Sequence, residues 1–362
     1  MLLKNILYNL RSTDSLNIAV IGDFCLDQYI NIDSELDQIY DYTELNIYGI
    51  SDIFYSPGGA GNVAKNLKNL NVNTFCIGTF GDDGNGYHLK KILKEKGINT
   101  EGIITSNEKI TNTVLKPNRK LNDETFKLNE MVTCNQINTT KKLNKLLQQK
   151  LTEIIPQMDA VVIVEQFDNE ECGTLTPETK DYLNKLALTY NNIYFIADSK
   201  KYINKYFNMF VKCNQFEFIN TFTTQNLKSY TNAKNDIIAL TQKMQNVKGT
   251  FITMGADGII VNHSDKIYAI NSRPINLPID TCGAGDSSTT GIILALCMGY
   301  DLCEAAILGN IIASITITQL NTTGVATIED IKKTLSTYDI SSLNKNIFKE
   351  LPLPIPIKIG EC

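Results

Sequence analysis

Basic residues are too few for a polyanionic partner: 34 Lys and Arg stand against 39 Asp and Glu in 362 residues, a net charge of −5. That balance leaves no electrostatic footprint for nucleic acid or an anionic membrane surface. Histidine is scarcer still. His88 and His263 are the whole complement, so a paired-histidine metal site or a Ser-His-Asp triad lacks material, and any general base is expected to be a carboxylate. Nine cysteines, an odd number, lie scattered from Cys25 to Cys362 without a C-x-x-C pair. Neither a zinc knuckle nor a disulfide framework is indicated, and the thiols are expected to be reduced. The longest apolar run, Ile292 to Met298, is bounded by Gly291 and Gly299 and falls well short of the ~20 residues that span a bilayer. The stretch Met1 to Asp14 mixes Lys4, Asn5, Asn9 and Arg11 among its leucines, unlike the apolar block of a signal peptide, so a cytoplasmic location is the expectation. The glycines from Gly78 to Gly86 do not form G-x-G-x-x-G, which disfavours a nicotinamide enzyme.

What the sequence does contain is alternation. Asn17 to Gly22 holds Ile18, Ala19, Val20 and Ile21 in one continuous apolar run, the pattern of a parallel strand buried on both faces. A helical spacing follows at Val63, Ala64, Leu67 and Leu70, then a strand at Thr74 to Gly78 and a helix at Tyr87 to Lys96. The alternation returns as strand Ala160 to Val164, helix Thr179 to Thr189, strands Ile193 to Ala197 and Phe251 to Met254, and a long apolar helix from about Gly285 to Met298. Such β-α-β order predicts a layered α/β fold. Two stretches, 27–55 and 110–131, show no amphipathic helix and are expected to leave the main sheet as β-ribbons. There is no internal repeat and no Gly/Ser linker, so 1–362 is expected to be a single domain, with 340–362 as a C-terminal tail whose Pro-rich part forms an extended strap.

Three fragments carry chemistry. Asp280-Thr281-Cys282-Gly283-Ala284-Gly285-Asp286 opens the long apolar helix. A helix N-terminus preceded by small residues presents unpaired N–H groups to a negative charge, as an anion hole for a transferring phosphoryl group would. Asp286 beside it can accept a hydroxyl proton, and the local positive potential is expected to keep it ionised at neutral pH. Ser56-Pro57-Gly58-Gly59-Ala60-Gly61-Asn62 precedes another helix and has the look of a Gly turn. Gly22-Asp23-Phe24-Cys25-Leu26-Asp27 follows the first strand, at the edge where open α/β sheets bind ligands, and its two carboxylates suit sugar hydroxyls.

Together these fragments resemble the PfkB/ribokinase family of ATP-dependent sugar kinases, over about Asn17 to Ile331. The resemblance rests on an early Gly58-Gly59-Ala60-Gly61-Asn62, a middle Asn214-Gln215-Phe216-Glu217, a following Thr253-Met254-Gly255-Ala256-Asp257-Gly258 and the late Asp280 to Asp286. It implies a three-layer α/β sandwich with a mostly parallel central sheet and a small β-lid made of 27–55 and 110–131. It further implies sugar binding by Asp23, Asp27, Gly58, Gly59 and Asn62, with Asp286 as base and Gly283, Ala284 and Gly285 around the transferred group. Nucleotide contacts fall to Asn214, Thr253, Gly255, Gly258 and Asn310, and Mg²⁺ to Glu217 through water. Lys200 and Lys212 are candidate phosphate contacts. ATP, Mg²⁺ and a monovalent cation such as K⁺ near Asp280 are the implied cofactors; a small sugar or sugar phosphate is the implied partner, and a homodimer through the lid is compatible. Within the family the early motifs are most similar to the kinase half of bifunctional heptose-7-phosphate kinases. The sequence departs from that group in carrying Asp33, Glu35, Asp37, Asp41 and Glu44 where the group has a basic, proline-rich stretch, and in having Glu165 to Glu171 where the family has a glycine-containing turn. A nucleoside kinase on the same scaffold, and a kinase-like ligand sensor without activity, are the alternatives.

Overall fold

The computed structural model describes residues 10–122, 124–133, 137–223, 233–263, 266–337 and 348–351. Its strands, in chain order, are β1 Asn17–Gly22, β2 Phe24–Asp33, β3 Gln38–Tyr40, β4 Leu45–Ile47, β5 Ile50–Gly59, β6 Asn73–Gly81, β7 Asn99–Ser106, β8 Thr113–Leu121, β9 Glu124–Lys127, β10 Met131–Val132, β11 Ala160–Glu165, β12 Tyr194–Ser199, β13 Phe210–Asn214, β14 Gly249–Thr253, β15 Ile259–His263, β16 Lys266–Ile270 and β17 Phe348–Leu351. Ten of these form one sheet in the order β17-β16-β15-β14-β13-β12-β11-β1-β6-β7. Pairing is parallel from β14 through to β7, and antiparallel between β14, β15, β16 and β17.

Alternation along the central strands sorts side chains onto two faces, since the side-chain period in a strand is two. Ile18 and Val20 of β1, with Val162 and Val164 of β11, join one apolar cluster, which helices Ala60–Asn69, Ala284–Cys297 and Leu302–Thr316 cover. Ala19 and Ile21, with Val161 and Ile163, join the opposite cluster under helices Lys141–Ile154 and Pro177–Thr189. Both faces are therefore covered, and the expected three-layer α/β sandwich is what forms. Side-chain caps fix where the outer helices begin: Thr140 Oγ1 accepts from the Leu143 N–H and Thr176 Oγ1 from the Thr179 N–H, each cap contributing on the order of 1 kcal/mol.

The two stretches set apart in the sequence do leave the main sheet. β2 pairs antiparallel with β5 and parallel with β8, and β8 carries β9 and β10, giving a five-stranded lid sheet; β3 and β4 make a separate ribbon. Pro57-Gly58-Gly59, which has the look of a turn in the sequence, is instead the end of β5, opposite Leu26, Cys25 and Phe24. Pro57 is tolerated there because β5 is an edge strand, where a missing N–H breaks no ladder. Of the tail, Phe348–Leu351 joins the main sheet against β16, and the Pro-rich strap from Leu351 to Ile359 lies, beyond Leu351, outside the described residues. Among the described residues no helix is long and apolar enough to cross a membrane.

Candidate active site

The C-terminal ends of the parallel strands converge on one place. β1 ends at Gly22, β11 at Glu165, β12 at Ser199 and β13 at Asn214, with Asp23, Gln166 and Lys200 the first residues past the first three, the edge at which an open α/β sheet leaves room for a ligand. A cavity of about 670 Å³ opens there between the sheet edge and the lid, its wall including Asp23, Asp27, Gly59, Asn62, Gly283 and Asp286 from the motifs read in the sequence. The early and late motifs thus meet: Asn62 Nδ2 donates to Asp286 Oδ2 at 3.0 Å, across 224 residues of chain. Asn62 Oδ1 is buried and has no protein partner, and a buried acceptor of this kind is costly unless a ligand donor or water meets it.

Backbone geometry shapes the helix start expected to form the anion hole. Gly283 caps helix Ala284–Cys297 with φ +78°, and a Cβ at that position would lie 2.3 Å from Thr323 Cγ2, so glycine is required by both conformation and space. The Ala284 N–H is spent on the Thr281 carbonyl at 3.1 Å. Gly285 and Asp286, in the first turn, have no intrahelical acceptor for their N–H groups by position. The Ala284 N–H is thus not among the unpaired groups expected at this helix start. Lys212 Nζ lies 3.0 Å from where a Cβ at Gly285 would sit.

Asp23 and Asp27 occupy different positions. Asp23 lines the cavity, but its carboxylate accepts from the N–H groups of Gln166, Phe167 and Thr174 at 3.0 to 3.3 Å. It is chiefly a brace for the 166–174 loop, and burial, only partly offset by those N–H groups, pushes its pKa to about 6. Asp27, on β2, meets Lys116 of β8 at 2.8 Å, both side chains largely buried. Gly58 backs this pair: a Cβ there would lie 2.4 Å from Asp27 Oδ1. Cys25 and Cys282 also face the cavity, and Lys116 Nζ reaches Cys282 Sγ at 3.6 Å. Burial disfavours the Lys116 charge, yet the Asp27 carboxylate more than compensates and holds its pKa above the usual lysine value.

Asp286 differs from the expectation. Its pKa is raised to about 7, first because burial strips water from the carboxylate and second because the Asp198 carboxylate repels its charge; Lys212, the Asn62 amide and Lys200 only partly offset these. The positive potential of the helix start does not dominate, because the carboxylate is buried and a second carboxylate shares the site. Asp198, at the end of β12, accepts from Lys212 Nζ at 2.9 Å and from Thr289 Oγ1 at 2.7 Å.

The remaining motif residues lie off the cavity wall, at strand ends, a turn and two helices. Asn214 caps helix Gln215–Phe222 in a capping box, its Oδ1 accepting from the N–H groups of Phe216 and Glu217 while the Asn214 N–H donates to Glu217 Oε2 at 2.7 Å. Burial raises the Glu217 pKa, with Lys212 pulling the other way. Thr253 pairs with Asn214 in the sheet, and Gly255 and Gly258 bound the short turn into β15. Asn310 Nδ2 donates to the carbonyls of Ile270 and Asn271, the same strand end that Gly258 packs against. Lys200 lines the cavity, whereas Lys212 is buried behind it. Lys116 and Asp198 are the groups that the sequence motifs miss. A hint exists for Asp198, since Ala197-Asp198-Ser199 ends an apolar strand as Gly22-Asp23 does; Lys116 lies in a polar ribbon with nothing to single it out.

The pfkB family carbohydrate kinase model matches residues 15–328. Bifunctional proteins HldE are similar: that of Aliarcobacter butzleri is 24% identical over 339 residues, covering 92% of this chain and 68% of its own length, and that of Trichlorobacter lovleyi is 25% identical, covering 87% and 62%. The chain spans about two thirds of the length of these curated relatives. Among solved structures, the Arabidopsis thaliana ribokinase complexed with ribose and ATP superposes with a TM-score of 0.65 at 15% identity, covering 90% of this chain and 99% of its own. The Methanocaldococcus jannaschii nucleoside kinase, described as an archaeal member of the ribokinase family, gives 0.59 at 21%, covering 89% and 98%. These likenesses establish a ribokinase-like fold. With the family model covering most of the chain, the protein belongs to the pfkB family of carbohydrate kinases and is a phosphotransferase with an alcohol group as acceptor.

Proposed function

We propose that the protein transfers the γ-phosphoryl group of ATP to a sugar or sugar-phosphate hydroxyl in line, with Asp286 as general base. The observation that carries this is the Asn62–Asp286 contact at 3.0 Å, which sets a carboxylate, a buried unpaired acceptor and a helix N-terminus around one cavity. A base whose pKa of about 7 matches a neutral working pH is near the optimum for proton abstraction. Phosphoryl transfer asks for positioning and charge stabilisation more than covalent work. The Gly285 and Asp286 N–H groups and the Lys200 ammonium on the cavity wall would face the charge on the transferred group, with Gly283 and Ala284 shaping the turn.

The donor set fits a Mg²⁺-nucleotide. Asn214 and Thr253 end paired strands, Gly255 and Gly258 bound the turn that follows, and Asn310 lies on helix Leu302–Thr316 against the Ile270 strand end; together they would hold the nucleotide. Among the described residues no group of three or more His, Cys, Asp or Glu could hold a metal ion, so Mg²⁺ would bind chiefly through phosphates and water, with Glu217 and Asp198 as outer carboxylates. Mg²⁺ supplies neutralisation of the triphosphate when bound. Asp280, near which a monovalent cation would sit, is paired with Lys127 of the lid, and this reading assigns no K⁺ there. Lid closure over the acceptor would exclude water that could otherwise take the phosphoryl group. Ile39, Tyr42 and Leu45 on the β3–β4 ribbon are 66%, 89% and 66% exposed and suit pairing with a second copy through the lid. A cytoplasmic setting accords with reduced thiols and an ATP supply. Acceptor-stimulated ADP release that Asp286→Asn abolishes tests the reading; unchanged release would overturn it.

A further inference from the structure

The charge on the cavity wall bears on which acceptor it takes. Asp23, Asp27, Glu130, Asp168 and Asp286 contribute five carboxyl groups against the two amines of Lys116 and Lys200. Lys116 is held by Asp27. The lid offers no other free cation: among its described strands the basic residues are Lys116, Arg119, Lys120 and Lys127, and these pair with Asp27, Asp37, Asp33 and Asp280 respectively. The acidic stretch seen in the sequence is what neutralises β8, because Asp33 and Asp37 lie on it and reach across to Lys120 and Arg119. Lys65, the other buried lysine near the early motif, donates to Ser56 Oγ at 3.2 Å and to the Thr323 carbonyl at 3.0 Å. A phosphate recognised in a protein is met by cations or unspent N–H donors, and in this cavity the uncommitted ammonium, Lys200, acts on Asp286 and Glu217 and so lies with the helix-start N–H groups on the side where the transferred group belongs.

We propose that the acceptor is an unphosphorylated sugar and that the cavity discriminates against the same sugar carrying a phosphate, a specificity that rests on the kinase reading above. The relatives named HldE match most of this chain at 24–25% identity, but the cationic side chains of this lid are committed to its own carboxylates. The hydroxyls of a neutral sugar suit what the wall offers: carboxylate oxygens of Asp27 and Asp286 and the unpaired Asn62 Oδ1 as acceptors, with Lys116 and the Asn62 amide as donors.

The experiment pairs pentoses, hexoses and heptoses, each free and as its terminal phosphate, and measures both equilibrium binding by calorimetry and Mg²⁺-ATP-dependent ADP release on the full chain. Free sugars should bind and turn over with kcat/KM at least ~100-fold above their phosphates at low salt, and the gap should shrink in high salt, as screening of charge repulsion requires. Replacing Glu130→Gln and Asp168→Asn together should raise the relative kcat/KM of the phosphates by roughly tenfold, as removal of two nearby like charges would. Tighter binding or faster turnover of the phosphates overturns the specificity and leaves the kinase standing. Binding of free sugars without ADP release supports the specificity and contradicts the kinase reading. Binding of neither class, or a free-to-phosphate ratio that neither salt nor the double variant moves, overturns the proposal.

Discussion

Replacing Lys116 with methionine isolates the charge pair on which the sugar side of the cavity is built. Lys116 Nζ and Asp27 Oδ2 lie 2.8 Å apart with side-chain exposures of 13% and 4%. At an effective dielectric of ~20 their attraction approaches ~6 kcal/mol, an upper bound that desolvation of both ions cuts steeply. Lys116→Met keeps the aliphatic stem and leaves Asp27 facing only the weak Cys25 thiol, 3.7 Å from Oδ1. Breaking a fully buried pair costs about 3–5 kcal/mol, and because this one borders a cavity we expect about 2–3 kcal/mol. With an unfolding entropy near 2 cal/mol/K per residue, that lowers Tm by roughly 3–4 °C for a chain of this length. Adding Asp27→Asn removes the orphaned charge, so the double variant should recover at least half of the loss in a thermal-melt cycle. A single variant that melts within 0.5 °C of the wild type, or a double variant whose loss is the sum of the two singles, would refute the reasoning.

The pH dependence has a definite sign. Asp286 must be deprotonated to act as base, so kcat/KM should climb about tenfold per unit below its pKa of about 7 and level off above; a pH–rate profile flat from 5.5 to 8 would contradict this. Because its folded pKa lies above the ordinary 3.8, the folded state binds the extra proton, and the stability this lends at low pH is lost as pH rises from about 4 to about 7. Asp286→Asn should therefore melt above the wild type at pH 8 and level with it near pH 4, as differential scanning would show. Gly283→Ala meets both φ +78° and a 2.3 Å approach to Thr323 Cγ2, so a loss of about 1–3 kcal/mol is expected in denaturant titrations, with turnover reduced. Lys127→Ala removes a lid-to-motif ion pair whose lysine is 54% exposed; stability should change by less than about 1 kcal/mol, while hydrogen exchange in β9 should quicken.

Local signals carried the layers of the fold. The run Ile18 to Ile21 is apolar at every position because β1 is covered on both faces, and Ala160 to Val164 is apolar for the same reason. Asp280 to Asp286 could be placed at a helix start because small residues run straight into an apolar stretch, and helix Ala284–Cys297 begins there. The lid was visible as a break in the alternation, but its pairing was not: β2 joins β8 across some ninety residues, and no local pattern records the match of Asp27 with Lys116. Pro57-Gly58-Gly59 misled because turn residues also serve at the end of an edge strand. The pKa of Asp286 depends on Asp198, 88 positions away, which only the parallel register of β12 and β13 brings to the site with Lys212. Buried pairs such as Lys180 with Glu165 were likewise beyond reach, since each member looks like a solvated surface charge until the 165–171 loop folds over it.

The most direct test of the central claim is steady-state ADP release from Mg²⁺-ATP, with and without acceptor sugar, in the wild type and in Asp286→Asn. The account predicts acceptor-stimulated release whose kcat falls by about 10²-fold or more in the variant, the lower end of a general-base contribution, while nucleotide binding is retained. Acceptor-stimulated release at an equal rate in both proteins would contradict it.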